Sequence, residues 1–293
     1  MTASETIVVT GATGQLGRLV VAELLRIAPQ ARVVALVRNA AAARDLGDRG
    51  AEIRVANYSD AAAVKAGLAG ADKVLLISSS EIGQRLAQHR NVVDAAKANG
   101  VKLLAYTSIL HADRNPMSLA TEHRETEQYL RASGVPFALL RNGWYTENYT
   151  MNIAPVLQHN ALLGAARNGR ISAAARADYA AAAAVVLAAA AETHAGKIYE
   201  LAGDDAFTLA QYAAEIARQS GKPVVYRDLP EADYKAALMQ AGVPEAFAGV
   251  FSESDARAAD DFLFEGGRAL SKLIGRATTP LAESIATALA ALR

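Results

Sequence analysis

A glycine-rich segment near residue 10 constrains this chain more than any other part of its sequence. An apolar run at residues 7–9 is followed by three glycines, and then by an amphipathic run to about residue 28. Apolar residues recur at helical spacing within that second run: Leu16, Leu19, Val20, Leu24 and Ile27. The pattern predicts a strand, a turn and a helix. A turn of this kind directs backbone N–H groups and a helix N-terminus toward an anion.

Each glycine has a distinct role if the anion is a dinucleotide. Gly11 permits the tight turn, Gly14 the close approach of a pyrophosphate, and Gly17 the packing of the helix on the strand. The alternative is an ordinary glycine loop, but its place at the first strand–helix junction favours the dinucleotide. The predicted cofactor contacts in this loop are Gly11, Ala12, Thr13, Gly14, Gln15, Leu16 and Gly17.

Short β-branched runs alternate with longer helical stretches through the first half of the chain. The predicted strands are residues 6–10, 32–37, 52–56, 73–78, 102–108, 137–141 and 197–202, and helices are predicted at 60–69, 83–99 and 120–132. This alternation is typical of an α/β protein with a doubly wound parallel sheet, the Rossmann fold. In such a sheet the ligand binds at the carboxyl ends of the strands. We predict a dinucleotide-binding Rossmann domain over residues 1–150.

The regular alternation of strands and helices is lost in the second half of the chain. There we predict a smaller, mainly helical substrate lobe over residues 151–293. The stretch 197–202 is predicted to return to the main sheet. A helix followed by a turn is predicted at 152–167, further helices at 176–192, 207–219, 231–241 and 279–292, and one new strand at 223–227. Because the stretch 254–267 is charged and contains glycine, we expect a surface connection there.

Composition excludes several classes of protein. The formal net charge is zero, which gives no electrostatic basis for binding nucleic acid. Cysteine is absent, so disulfides, thiolate nucleophiles and cysteine–metal sites are excluded. The longest apolar run, residues 179–191, is shorter than the ~20 residues that span a bilayer. With no signal-like pattern in residues 1–6, we expect a cytoplasmic protein that does not enter a membrane. The oligomeric state stays open, with a homodimer as one candidate.

The residue after the second predicted strand distinguishes NAD from NADP. An acid there accepts hydrogen bonds from the ribose 2′-hydroxyl, whereas a cation favours a 2′-phosphate. Here the strand is followed by Arg38, with no acid beside it, and this predicts NADPH. Asn57, after the third strand, is a candidate adenine contact or a plain turn residue. Ser78, Ser79 and Ser80 follow the fourth strand and either line the ribose and nicotinamide side or form a simple loop.

The usual catalyst of a short-chain dehydrogenase is missing. That catalyst is Tyr-x-x-x-Lys, in which lysine lowers the pKa of the tyrosine. None of the ten tyrosines has a lysine four residues later, and His123 and Glu127 occupy the expected spacing. No zinc-binding His-Glu-x-x-His pattern or Gly-x-Ser-x-Gly elbow exists, and no metal site is predicted. Ser108, His111 and Asp113 are interpreted as neighbours by chance.

Six segments resemble one known family, the atypical short-chain dehydrogenases of the NmrA-like group, and within it the bacterial NAD(P)H:quinone oxidoreductases. They are Val-Thr-Gly-Ala-Thr-Gly-Gln-Leu-Gly at residues 9–17, and residues 76–85, 105–113, 139–149, 176–183 and 273–284. The resemblance therefore covers nearly the whole chain. One departure is Asn57, where an acid is usual in the family.

The resemblance implies a flavin-independent enzyme that passes a hydride from NADPH to a quinone. It also implies that Arg85, Arg90 and the loop at residues 172–177, with Arg176, lie at the cofactor. Solvated surface arginines are the alternative for Arg85 and Arg176.

Quinone reduction explains the missing Tyr-Lys pair. The product is a hydroquinone anion, whose conjugate acid has a pKa of ~10, close to that of tyrosine, so no strong general acid is needed. Neutral donors after the sixth predicted strand, Asn142, Trp144 and Tyr145, could position the quinone, with Tyr106 and His111 near the fifth. Packing of the lobe is the alternative role for the two aromatic residues. A silent NADP sensor and a reductase of phenolic substrates remain alternative functions.

Overall fold

The computed structural model describes residues 4–81 and 83–292. Its strands are β1 (Thr6–Thr10), β2 (Arg32–Val37), β3 (Glu52–Val55), β4 (Lys73–Leu76), β5 (Leu103–Ile109), β6 (Phe137–Asn142), β7 (Ala161–Gly164), β8 (Ile198–Leu201) and β9 (Val225–Asp228). Its helices are α1 (Gln15–Ile27), α2 (Arg44–Asp48), α3 (Ala61–Gly67), α4 (Arg85–Ala98), α5 (Ser118–Ser133), α6 (Glu147–Thr150), α7 (Ile153–His159), α8 (Arg176–Ala188), α9 (Ala191–His194), α10 (Leu209–Ser220), α11 (Glu231–Gln240), α12 (Glu245–Ala258), α13 (Ala269–Ile274) and α14 (Leu281–Ala290), with a short 3-10 helix at Ala40–Ala43.

Seven strands form one sheet in the order β3-β2-β1-β4-β5-β6-β8. The pairings among the first six strands are all parallel. This is the predicted doubly wound α/β fold, with its topological switch between β1 and β4. The outer strand β8 lies within residues 197–202, the stretch predicted to return to the sheet. The carboxyl ends of β1, β2 and β4 therefore lie side by side, where a Rossmann fold places its ligand.

The chain divides into two compact units. The first runs to Asp113 and includes Ala120–Asn142 and Arg176–Tyr199. The second comprises Arg114–Leu119, Gly143–Ala175 and the chain from Glu200 onward.

Burial in the first unit follows from its sequence. β1, β4 and β5 are buried along their whole lengths, as expected for strands covered by helices on both faces. The alanine-rich helix α8 packs against α1, because small side chains let helices approach closely. Lys73 is almost completely buried, and its ammonium donates to the carbonyls of Leu187 (3.0 Å) and Ala189 (2.5 Å). It thereby satisfies carbonyls at the C-terminal end of α8.

The second unit departs from prediction in two places. Residues 152–167 are predicted as a helix followed by a turn; the helix ends at His159, but residues 161–164 form a strand, β7, which pairs in parallel with β9. Sequence periodicity missed β7 because it has four residues and its partner begins more than sixty positions later.

The surface connection predicted at 254–267 is wrong in its first part. Residues 254–258 complete α12, and both Ser254 and Asp255 are buried. The Asp255 carboxylate accepts a hydrogen bond from Ala165 N–H at 3.1 Å. Burial raises the pKa of Asp255 to about 7, with Ala165 N–H opposing the rise and Asp228 adding to it. Asp255, which its charge predicted to be at the surface, therefore lies in the core of the second unit.

Within the described ranges, no helix is both long and apolar enough to cross a bilayer.

Candidate functional site

The glycine loop has the geometry that Gly11 and Gly17 predict. Gly11 adopts a positive φ of 61°, which permits the turn out of β1. A Cβ on Gly17 would lie 2.4 Å from the carbonyl oxygen of Gly11 and 2.7 Å from Cα of Ala12. Helix α1 therefore rests directly on the backbone of the turn, and only glycine fits at position 17.

The N-terminus of α1 presents backbone N–H groups that the protein leaves available. Gly14 is the N-cap, and no described side chain caps the helix or places an acid in its first turn. The first N–H groups of a helix lack intrahelical acceptors, and the helix dipole favours an anion beside them. A pyrophosphate fits this arrangement of glycines and free amides.

Two side chains that sequence reasoning missed support this loop. Arg18 Nε donates to the carbonyl of Thr13 at 3.1 Å, and its Nη2 donates to the carbonyl of Ala42 at 2.6 Å. The hydroxyl of Tyr58 bonds to the Thr10 hydroxyl and donates to the carbonyl of Ile77 at 3.0 Å. A tyrosine three residues after a strand that ends at the ligand edge was the available signal for Tyr58.

Arg38 follows β2 at the same edge of the sheet. Its side chain is 69% exposed, and its Nη1 lies 2.9 Å from Oε1 of Glu81, which follows β4. Asn57 is exposed, and its Oδ1 accepts from Ser59 N–H at 3.1 Å. This is the turn role that was its alternative, and an adenine contact by Asn57 stays a prediction.

The three serines after β4 are held in a defined loop. Ser78 N–H donates to the Thr107 hydroxyl at 2.9 Å, and Ser79 N–H donates to Nε2 of His89 at 3.0 Å. Desolvation, with Arg85 adding to it, lowers the pKa of His89 to about 3, so its ring stays a neutral acceptor. Ser80 is exposed. The loop is therefore shaped by buried partners behind it.

The two arginines of α4 lie in different surroundings. Arg85 is buried, its Nε donates to the carbonyl of Ser79 at 2.6 Å, and its Nη1 lies 3.4 Å from Oε2 of Glu122. Arg90 is exposed and stacks on the ring of Tyr129, 4.9 Å from its centroid. Five residues turn a helix by about 140° beyond a full turn, so the two arginines occupy different faces. Arg85 supports the serine loop, and direct cofactor contact by either arginine stays a prediction.

The position expected for a catalytic tyrosine is a buried structural position. Nδ1 of His123 lies 2.7 Å from the hydroxyl of Tyr106, and both side chains are buried. Desolvation lowers the pKa of His123 well below its ordinary value, and Arg85 and His89 lower it further. Burial raises the pKa of Tyr106. Tyr106 thus contacts His123 of α5, and burial disfavours the charged form of both side chains.

The position expected for the catalytic lysine holds a buried ion pair. Arg141 contacts both carboxylate oxygens of Glu127, at 2.9 Å from Nε and 2.8 Å from Nη2. Ser108 donates to Glu127 at 2.6 Å, and Asp113 contacts Nη1 of Arg141 at 2.9 Å. Ser108 and Asp113 therefore serve this network. Among the described residues, no group of three or more His, Asp or Glu side chains could hold a metal ion.

The substrate candidates follow β6. Asn142, at the end of β6, is buried, and its Oδ1 has no hydrogen-bond partner among the described residues. In the second unit, Trp144 is buried, Tyr145 is half-buried, and this segment pairs with Ala174: Ala174 N–H donates to the carbonyl of Trp144 at 3.2 Å. Arg176 is the first residue of α8, in the first unit. A contact of these residues with cofactor or quinone stays a prediction.

Comparison with known proteins agrees with this geometry. The NmrA-like family model matches residues 3–287. Quinone oxidoreductase 2 of Escherichia coli (strain K12) is 53% identical over 279 residues, which is 95% of this chain and 97% of that protein. The crystal structure of the NADPH-dependent quinone oxidoreductase of E. coli in complex with NADPH superposes with a TM-score of 0.94, covering 97% of this chain and 99% of that one at 53% identity. The triphenylmethane reductase of Citrobacter sp. with NADP(H) gives a TM-score of 0.91 at 35% identity, covering 96% and 99%.

A Rossmann fold with an uncapped glycine turn and no Tyr-Lys pair defines an atypical dinucleotide-binding protein. The chain belongs to the NmrA-like family.

Proposed function

We propose that this chain is an oxidoreductase that reduces quinones to hydroquinones with NADPH and without flavin. The observation that carries the proposal is what occupies the two positions where a short-chain dehydrogenase has its catalytic tyrosine and lysine. His123 is buried beside the Tyr106 hydroxyl and Glu127 is a buried ion-pair partner, so these two positions do not supply the Tyr-Lys acid that reduction to an alkoxide requires. The similarity to the E. coli quinone oxidoreductase over the whole chain supports the same conclusion.

Cofactor binding rests on groups of the first unit. The free N–H groups at the start of α1 hold the pyrophosphate, and the exposed guanidinium of Arg38 takes the 2′-phosphate. Ser78, Ser79 and Ser80 line the ribose side, with Arg85 fixing their backbone. Arg90 and Arg176 are also proposed as cofactor contacts, because the resemblance to the family implies them.

The residues of the chain position the quinone and stabilise the negative charge of the hydroquinone anion. The chemistry that bound NADPH supplies is hydride donation from nicotinamide C4. The hydroquinone anion is a phenolate whose conjugate acid has a pKa of ~10, so hydrogen bonds and solvent suffice to stabilise it. The unpartnered amide oxygen of Asn142 can accept a hydrogen bond from the hydroquinone O–H once it is protonated, and the rings of Trp144 and Tyr145 can stack on a planar substrate.

We infer that the enzyme works in the cytoplasm on a small-molecule quinone, with no nucleic-acid partner. A net charge of zero and the absence of cysteine support this inference. Residues 1–150 serve as the NADP-binding part and 151–293 as the substrate lobe. A homodimer is the proposed assembly, which sedimentation of the purified protein tests.

The test is a substrate panel with purified, flavin-free protein. We expect oxidation of NADPH that depends on benzoquinone or menadione, and a lower rate with NADH at equal concentration. Turnover no faster than buffer, despite measured NADPH binding, would instead favour a cofactor sensor.

The variant Arg38→Ala tests the cofactor assignment. The KM for NADPH should rise about tenfold or more, because a charge-assisted hydrogen bond to phosphate is lost, while the KM for NADH stays unchanged. An equal loss with both cofactors would show that Arg38 has a structural role.

A further inference from the structure

The guanidinium that is proposed to take the 2′-phosphate already has an anionic partner. Arg38 and Glu81 follow β2 and β4, the two strands on either side of β1, and their side chains meet at 2.9 Å. Both remain accessible, with 69% and 45% of their side chains exposed. The ion pair therefore bridges two strand ends at the edge where the glycine loop lies.

Glu81 is held in this position by more than Arg38. Its second carboxylate oxygen accepts from Nε2 of Gln88 at 2.8 Å, and its backbone N–H donates to the Ser79 hydroxyl at 3.2 Å. Gln88 is 3% exposed, and the same Nε2 donates to the Ser59 hydroxyl at 3.2 Å.

The orientation of the Gln88 side-chain amide holds the carboxylate of Glu81 in place. Oε1 of Gln88 is buried and has no hydrogen-bond partner in the part of the chain that the structure describes. The opposite amide orientation would point oxygen at the carboxylate of Glu81. Donation from Nε2 thus fixes Glu81 at the cost of an unpaired oxygen.

An ion pair in this place affects the two cofactors differently. A 2′-phosphate must compete with Glu81 for Nη1 of Arg38, and it meets a second negative charge as it does so. A ribose with a free 2′-hydroxyl leaves the pair intact. We propose that Glu81 is a specificity-determining residue that restrains Arg38 and lowers the affinity for cofactors carrying a 2′-phosphate.

This inference rests on the proposed role of Arg38, so the test uses ligands that isolate the phosphate. Adenosine 2′,5′-bisphosphate and adenosine 5′-diphosphate differ in the 2′-phosphate and lack the nicotinamide. Their dissociation constants are measured by calorimetry for the wild type, Glu81→Gln, Arg38→Ala and the double variant. NADPH and NADH are titrated in parallel.

Glu81→Gln should tighten binding of the bisphosphate and of NADPH by about two- to fivefold, the range set by an exposed ion pair. Binding of adenosine 5′-diphosphate and NADH should stay unchanged. The gain should vanish in the Arg38→Ala background. The matched control is Glu52→Gln, which removes an ion-paired carboxylate at the amino end of β3, where Glu52 contacts Arg32 and Arg54. It should alter none of the four constants.

Two outcomes overturn the inference. If Glu81→Gln weakens both classes of ligand, Glu81 contacts the bound ribose instead of restraining Arg38. If it changes nothing while Arg38→Ala still loses the bisphosphate selectively, the ion pair has no role and the proposed function stands. Failure of the proposed cofactor assignment is distinct, because Arg38→Ala would then bind both adenine ligands as the wild type does.

Discussion

Replacing Gly17 by alanine tests whether the packing of α1 on the glycine turn creates the cofactor site. The new Cβ would lie 2.4 Å from the Gly11 oxygen and 2.7 Å from Cα of Ala12, and both neighbours are backbone atoms. No side-chain rotation relieves such a contact. To reach an ordinary separation, the helix must withdraw by about 1 Å, and overpacking of this kind costs about 1–3 kcal/mol.

The higher helix propensity of alanine recovers up to ~1 kcal/mol of that cost. We therefore expect a net loss of about 1–2 kcal/mol in the free energy of unfolding, measured by urea denaturation. The loss in NADPH affinity should be larger, about tenfold or more, because the displaced N–H groups no longer converge on the pyrophosphate.

Gly47→Ala supplies the matched control. Gly47 is also helical, and its Cβ would meet the side chain of Ile53 at 3.5 Å, an ordinary contact distance. This variant should fold with equal or slightly higher stability and bind NADPH normally. Normal NADPH affinity in Gly17→Ala would refute the account of the loop.

Three further predictions address the buried groups. His123→Gln should lower stability but keep quinone turnover within about threefold and leave its pH profile unchanged, since the buried imidazole is neutral; a lost limb of the profile would show that His123 transfers a proton. Glu127→Gln should lower the free energy of unfolding by about 3 kcal/mol in urea, because it removes the buried carboxylate that pairs with Arg141 and leaves the exposed Asp113 as its anionic partner; a change under about 1 kcal/mol would contradict the importance of that ion pair. Asp255 has a folded-state pKa of about 7, raised by burial, so the native state binds its proton more tightly and stability falls as the pH rises from about 4 to above 7. Asp255→Asn should therefore show a flatter fall in melting temperature between about pH 5 and pH 8, and a slope equal to the wild type would refute the assignment.

The strands of the main sheet could be predicted from the sequence because they contain continuous apolar runs. β1 and β2 have the predicted bounds, and the other sheet strands differ by one or two residues at their ends. The second unit was harder, because β7 is short and pairs with a distant strand. Asp255 shows the same limit, since its buried carboxylate is hydrogen-bonded to the N–H of Ala165, ninety positions away.

The spacing of the glycines predicted local backbone geometry at two positions. Gly11 and Gly17 have the backbone roles expected from their spacing. The contacts of Tyr58 and Glu81 could not be predicted, since each joins the ends of different strands. Arg85 is buried behind the serine loop, a side-chain direction that helical spacing alone does not specify.

The most direct test of the central claim is a single-turnover experiment with flavin-free protein. NADPH is bound to a molar excess of enzyme, the complex is mixed rapidly with excess menadione, and the loss of nicotinamide absorbance is followed. We expect one equivalent of NADPH to be oxidised per occupied site in a fast phase, and NADPH deuterated at the transferred C4 position should slow that phase. Oxidation at the rate seen in buffer, with cofactor bound and quinone present, would contradict direct hydride transfer by this protein.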